Sequence, residues 1–294
     1  MSVKDILVCI DPTDAGLTRL RLAASLAREH GAHLSAAYIQ SRHDEALARN
    51  TVGLTTTASG SGAPERNLVW GVPLSDESEA AHSPIIAEML ETRFRDIIQE
   101  HPVTADWHQL ATGDSADFIA MLRTIDLAIV GQVSPGYAVP SGFRPGDLVM
   151  ATGRPLLVVP YAGSYETAGR RVLIAWDGTR EAARAVHDAI PLIARAELAV
   201  VMTVHSDNAS GDHDARGIER VVRNLERHGI RARAEEATQS DIPVADVLLS
   251  RAADIDADLI VAGAYHHSQL REALLGGVSR ELLDHMTIPV LMSH

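Results

Sequence analysis

Cysteine is almost missing from this sequence: a single residue, Cys9, stands among 294. A disulfide framework within the chain is therefore excluded, and Cys9, set in an apolar run, reads as a small buried hydrophobe. Aromatic residues are scarce, at 4%, so Ala, Val, Leu and Ile must fill the core. That composition suits buried parallel strands packed against alanine-rich helices. Positive charge is also short. The formal net charge of −13 argues against nucleic acid, because affinity for a phosphate backbone comes from Lys and Arg, and against an anionic membrane surface. No run approaches the roughly 20 apolar residues that cross a bilayer, and residues 1–5 lack the basic start and apolar stretch of a signal peptide. A cytoplasmic protein with neither nucleic acid nor membrane as partner is the expectation.

The usual marks of covalent and metal chemistry are missing too. There is no Gly-x-Ser-x-Gly elbow, no phosphate loop ending in Gly-Lys-Ser/Thr, and no clear base paired with a nucleophile. His266 and His267 are adjacent, but neighbouring residues rarely face one ion, and no Cys or obvious third ligand stands nearby. They read as loop histidines. No catalytic residue and no metal are expected.

What the sequence does have is an internal repeat. The run 6–11, ILVCID, finds a counterpart in 172–177, VLIAWD. Each precedes a helical pattern: Leu17, Leu20, Ala24 and Ala27 share one face, with His30 and Gly31 as its stop, and Ala182, Val186, Ile190 and Ile193 share another. Next, 32–40 corresponds to 196–205, and 104–112 to 230–238. The closest match is 126–131, DLAIVG, with 258–263, DLIVAG, and 153–159 then mirrors 287–292. Each half thus reads β-α-β-α-β-α-β-α-β, which predicts an α/β fold of two tandem doubly wound parallel sheets with right-handed crossovers. The boundary falls near 161–169. The first half carries a longer insert, about 41–103. Within it, 50–62 is rich in Thr, Ser and Gly and reads as a mobile loop, followed by a helix over roughly 82–100 with Ile85, Met89 and Ile97 near helical spacing. The insert is either a tolerated surface insertion or a lid or partner-docking arm.

In open α/β sheets ligands sit beyond the C-terminal strand ends, where strand order reverses. Asp11 and Asp177 end the first strand of each half, and Gly131 and Gly263 end the fourth. A carboxylate there can accept from a ribose hydroxyl or a base amino group, or it can serve a turn or helix cap instead. A glycine admits a phosphate closely or merely serves a tight turn. In the second half Gly276 and Gly277 precede a short helix with Ser279 near its start, so together they can cradle an anion with help from the helix dipole.

These residues resemble the nucleotide motif of universal stress proteins, Gly-x2-Gly-x9-Gly-(Ser/Thr) after the fourth strand with an Asp closing the first. The resemblance covers nearly the whole chain twice, apart from the insert, and identifies it as similar to a tandem universal stress protein: residues 1–163 with the insert, then 169–294. Gly263, Gly276 and Asp177 match, while His266 replaces the second glycine and Gly277 the Ser/Thr, with Ser279 close by. The first half departs further, with Ser134 at the second glycine, Gly142 aligned with Gly276, and Pro145 removing a donor. The resemblance implies a cytoplasmic stress-response protein that holds an adenine nucleotide (ATP, ADP or AMP) in its second half, at Asp177, Gly263, His266, Gly276, Gly277 and Ser279. No cofactor is expected in the first half. It also implies an intramolecular pseudo-dimer through 156–159 and 290–292, with two chains free to associate further. Without a lysine in the motif, fast hydrolysis lacks electrostatic support, so binding is expected rather than catalysis, a slow ATPase at most. The rival reading is an interaction protein that needs no nucleotide and meets its partner through the insert.

Overall fold

Ten strands join one sheet in the order β3-β2-β1-β4-β5-β10-β9-β6-β7-β8. The computed structural model describes residues 2–40, 79–111, 114–134, 143–206, 215–239, 242–264 and 277–294. The loop read at 50–62 lies outside them.

The first half runs β1 (Asp5–Ile10), α1 (Asp14–His30), β2 (His33–Ile39), α2 (Glu79–Glu100), β3 (Ala105–Leu110), α3 (Ser115–Thr124), β4 (Leu127–Gly131), α4 (Pro145–Thr152) and β5 (Leu156–Val159). The second runs β6 (Arg171–Ala175), α5 (Arg180–Ile193), β7 (Leu198–Ser206), α6 (Ala215–Arg227), β8 (Ala232–Gln239), α7 (Val244–Asp254), β9 (Leu259–Gly263), α8 (Gly277–His285) and β10 (Val290–Ser293). The alternation read from the sequence is thus found twice. Every pairing within a half is parallel.

Why these segments become these elements follows from their patterning. β4, β5, β9 and β10 are short and almost wholly buried, as strands covered by helices on both faces must be. Helix α1 starts at Thr13, whose side chain accepts from the Gly16 amide, and stops at Gly31 with φ 59°, a left-handed cap that glycine takes without penalty. The repeated aspartates have a shared task. Asp126 accepts from the amides of Lys4 (2.8 Å) and Asp5 (3.2 Å). Asp258 accepts from those of Gly169, Arg170 and Arg171 at 2.9–3.1 Å. Each fourth strand therefore fixes where the first strand of its half begins.

Helix α2 is the crossover between β2 and β3, the place α6 fills in the second half. Its buried face differs from the spacing read in the sequence. Ile86, Leu90, Phe94 and Ile97 turn inward, Met89 is half-buried, and the Ile85 side chain lies outside the described residues. Phe94 meets Trp107 with ring centroids 5.7 Å apart, and Trp107 stacks on Tyr38 at 6.5 Å. Three of the few aromatics thus gather where α2 docks on the sheet.

Within the sheet the two halves join through one antiparallel strand pair, with Val290 opposite Val158, Leu291 opposite Leu157 and Met292 opposite Leu156. Leu157 and Leu291 are both fully buried. Truncating Leu291 to Ala removes apolar burial and leaves a cavity at the centre of the sheet, so it should cost about 2–5 kcal/mol in urea unfolding. A loss under about 1 kcal/mol would mean that this seam contributes little.

Candidate functional site

Strand order reverses between β1 and β4 in the first half and between β6 and β9 in the second. Immediately beyond those strand ends lie two equivalent clefts, one per half, and the chain has filled them differently.

In the second half Asp177 follows β6. Its Oδ1 accepts from the Thr179 amide (3.0 Å) and the Thr179 hydroxyl (2.6 Å), and Thr179 Oγ1 in turn accepts from the Ala182 amide at 3.1 Å. The helix cap is therefore Thr179, and Asp177 holds the cap in place. Asp177 Oδ2 has no partner among the described residues, and the side chain is exposed. Asp177, Gly263, Gly277 and Ser279 all line one cavity of about 260 Å³, together with Trp176, Glu181 and an apolar wall that includes Met202, Val204 and Leu248. Four of the six residues read from the sequence therefore meet at one place. His266 and Gly276 lie outside the described residues.

Gly263 has a structural role as well. A Cβ there would stand 2.5 Å from the Ala182 amide nitrogen and 2.7 Å from the Glu181 carbonyl carbon. Its missing side chain thus admits the first turn of α5. Ser279, at the start of α8, is buried, and its hydroxyl donates to the Gly263 carbonyl at 3.4 Å, which ties α8 to the end of β9.

The first half repeats the same local construction. Asp11 Oδ1 accepts from the Thr13 amide (3.1 Å) and from the Thr13 hydroxyl, and Thr13 Oγ1 accepts from the Gly16 amide (3.1 Å). The difference is Arg19, one of the few buried charged residues. Its Nη2 donates to Asp11 Oδ2 at 2.6 Å, its Nε donates to the Cys9 carbonyl at 2.6 Å, and the side chain is 4% exposed. It also lies against Gly131, where a Cβ would come within 2.2 Å of Nη1. The glycine that in a nucleotide motif would admit a ligand here admits the chain's own guanidinium. The cavity left beside it is about 110 Å³. In the second half Ala185 holds the helix position of Arg19 and is buried. Sequence reading missed Arg19. Its signal was a charged residue at the third position after Gly16 on the face that also carries Leu20 and Ala23, where a cation must find an internal partner.

Cys9, read from the sequence as buried, is half-buried beside that ion pair and lines the small cavity. Burial pushes its thiol up from 9.0 to about 12, with Arg19 opposing and Asp11 reinforcing the rise. Among the described residues no group of three or more His, Cys, Asp or Glu is placed to hold a metal ion. No described helix is long and apolar enough to cross a membrane.

Two outcomes follow. At pH 8 Cys9 should hold roughly a thousandfold less thiolate than a thiol titrating at 9.0, so labelling by a disulfide reagent should be far slower in the folded chain than after denaturation. Equal rates would place Cys9 outside the core. Replacing Arg19 by Met strips Asp11 of its cation and should destabilise the chain by about 3–5 kcal/mol, and adding Asp11→Asn should recover part of the loss. A single variant as stable as the parent would show the pair to be idle.

No match to a curated protein was found. The fold is similar along nearly its whole length to solved structures. One is a universal stress protein from Archaeoglobus fulgidus DSM 4304, with TM-score 0.70 and 11% identity, covering 99% of this chain and 96% of that one. A second is a functionally unknown protein from Pseudomonas aeruginosa PAO1, with TM-score 0.55 and 17% identity, covering 99% and 92%. A third is a putative universal stress protein from Pseudomonas aeruginosa UCBPP-PA14, with TM-score 0.53 and 18% identity, covering 99% and 93%. At these identities the likeness establishes the fold. The sequence itself goes further in the second half, where residues 169–294 match the Universal stress protein family.

Proposed function

We propose that the chain is a tandem protein of the universal stress type, with units 1–163 and 169–294, that acts in the cytoplasm by binding an adenine nucleotide in its second unit. One observation carries the reading. Asp177, Gly263, Gly277 and Ser279 converge on a single cavity with an apolar wall, and one carboxylate oxygen of Asp177 is unengaged among the described residues. An apolar cleft with a few placed polar groups is the usual form of a small-molecule site. The apolar wall formed by Met202, Val204 and Leu248 suits a flat base. Asp177 suits a ribose hydroxyl, and the amides opening α8 suit a phosphate. His266 and Gly276 belong to the same proposed contact set.

The first unit takes no nucleotide in this reading. Arg19 occupies the corresponding space, and the carboxylate that would meet a ribose is already paired with it. Pro145, at the start of α4, also lacks the amide that Gly277 and its neighbours offer in the second unit. Binding rather than turnover is the expected activity, because no lysine or arginine lines the described part of the cavity to stabilise a leaving phosphate.

The direct test is to denature the purified protein, identify any released ligand by mass spectrometry, and titrate the emptied protein with ATP, ADP and AMP by calorimetry. One nucleotide per chain is expected. Asp177→Ala should weaken it about 10- to 100-fold, as loss of a charge-assisted hydrogen bond does. If nothing is released and no nucleotide binds, the nucleotide reading fails, and an interaction protein becomes the better account.

A further inference from the structure

Helix α8 has nine residues, Gly277–His285, too few to persist alone in water. Its first turn lines the second cavity through Gly277, Val278 and Ser279. Its last turn is held from the other half of the molecule. Gln132, the residue after β4, donates from Nε2 to the carbonyls of Leu283 (2.8 Å) and Asp284 (3.2 Å), across more than 150 positions of sequence. The last carbonyls of any helix have no partner within it, and here an amide from the first unit supplies the missing donor. Gln132 is itself fixed. It is only 9% exposed, its amide donates to the Val159 carbonyl at 2.8 Å, and its Oε1 accepts from the Tyr161 amide at 3.3 Å.

The arrangement has no mirror image. Ala264 follows β9 as Gln132 follows β4, and it carries no side-chain donor. The end of α4, the counterpart of α8, is served from within its own half, where Arg123 donates to the Ala151 carbonyl from Nε (3.1 Å) and Nη2 (3.0 Å). Gln132 and Tyr161 also line the small cavity beside Arg19. One side chain therefore touches the cleft of the first unit and the helix that opens the cleft of the second.

We infer that Gln132 is a positioning residue. It caps α8 from the neighbouring unit and so sets where Gly277 and Ser279 stand at the second cavity, which links that cavity to the state of the first unit. The capping stands on geometry alone, and its consequence for nucleotide rests on the function proposed above. Linkage of this kind is a free-energy coupling through one shared element.

The test uses the whole chain with no ligand. Gln132→Met keeps the bulk and removes the donor. Amide exchange within α8 should then accelerate about tenfold, the effect of losing an interaction of about 1.4 kcal/mol, while α5 stays unchanged. Unchanged protection of α8 would overturn the inference. Gln132→Glu supplies a signature that bulk packing cannot. Between about pH 8 and about pH 4 its carboxyl, which ordinarily titrates at about 4.3 and is raised by burial against two carbonyl oxygens, takes up a proton and becomes a donor again, so protection of α8, corrected for intrinsic rates, should return. In the Met variant it should stay low at both pH values, and equal pH dependence in the two would count against the capping role. Nucleotide titration completes the set. Where the parent chain binds ATP, Gln132→Met should weaken binding about fivefold or more, and unchanged affinity would refute the linkage. Where the parent binds none, the proposed function fails, and exchange alone decides the capping.

Discussion

The contact between β5 and β10 is where two repeats become one molecule. Within each half the inner parallel strands are buried by helices on both faces, and the fifth strand ends the series. Leu156, Leu157, Val158 and Val159 would be left as a fully apolar edge with unpaired backbone groups, an invitation to pair with another chain. β10 closes that edge with an equally apolar strand running the other way. The antiparallel sense follows from relating two like units by an approximate two-fold axis, which presents the same strand from both sides. Everything that passes between the halves, including the bond from Gln132 to α8, depends on this pairing to bring β4 of one unit near the last helix of the other.

The parallel order also fixes where chemistry can occur. All strand ends of one polarity within a half lie together, and the reversal between β1 and β4, or β6 and β9, opens a gap there. Both units build the lip of that gap identically, with an Asp that holds a Thr that caps a helix. One carboxylate oxygen is committed to the cap and one is left over. In the first unit Arg19 takes the spare oxygen and spreads over Gly131. In the second, Ala185 stands at the corresponding helix position. A single side chain on the inner face of α1 thus goes with a cavity of about 110 Å³ in the first half against about 260 Å³ in the second.

Much of the fold was legible because it rests on patterns that local physics imposes. Strand-length apolar runs, helical spacing, Gly31 as a helix stop and the repeated Asp-Leu landmark all have nearby causes, and the structure gave each a concrete role. The aspartates proved to be clamps on the first strand of each half. The inward face of α2 was displaced from the spacing read in the sequence because its partners, Trp107 and Tyr38, come from strands it packs on after folding. Arg19 was hidden for a related reason. An arginine among leucines in a helix has no local mark of burial, since what makes it tolerable is a carboxylate eight residues earlier, brought close only by the strand-to-helix turn. Gln132 had no local signal at all, because its acceptors are in the last helix of the chain.

The two departures from symmetry belong together. A symmetric homodimer carries every side chain twice, so an arginine that closed one cleft would close both, and a glutamine that capped one helix would cap its mate. A covalent tandem escapes that constraint. Its first unit can give up a cleft to a buried ion pair, and the residue next to that pair can serve the second unit without any reciprocal demand. The first unit then acts as a scaffold that shapes its neighbour, and the open cleft is the product of both halves although its lining belongs to one.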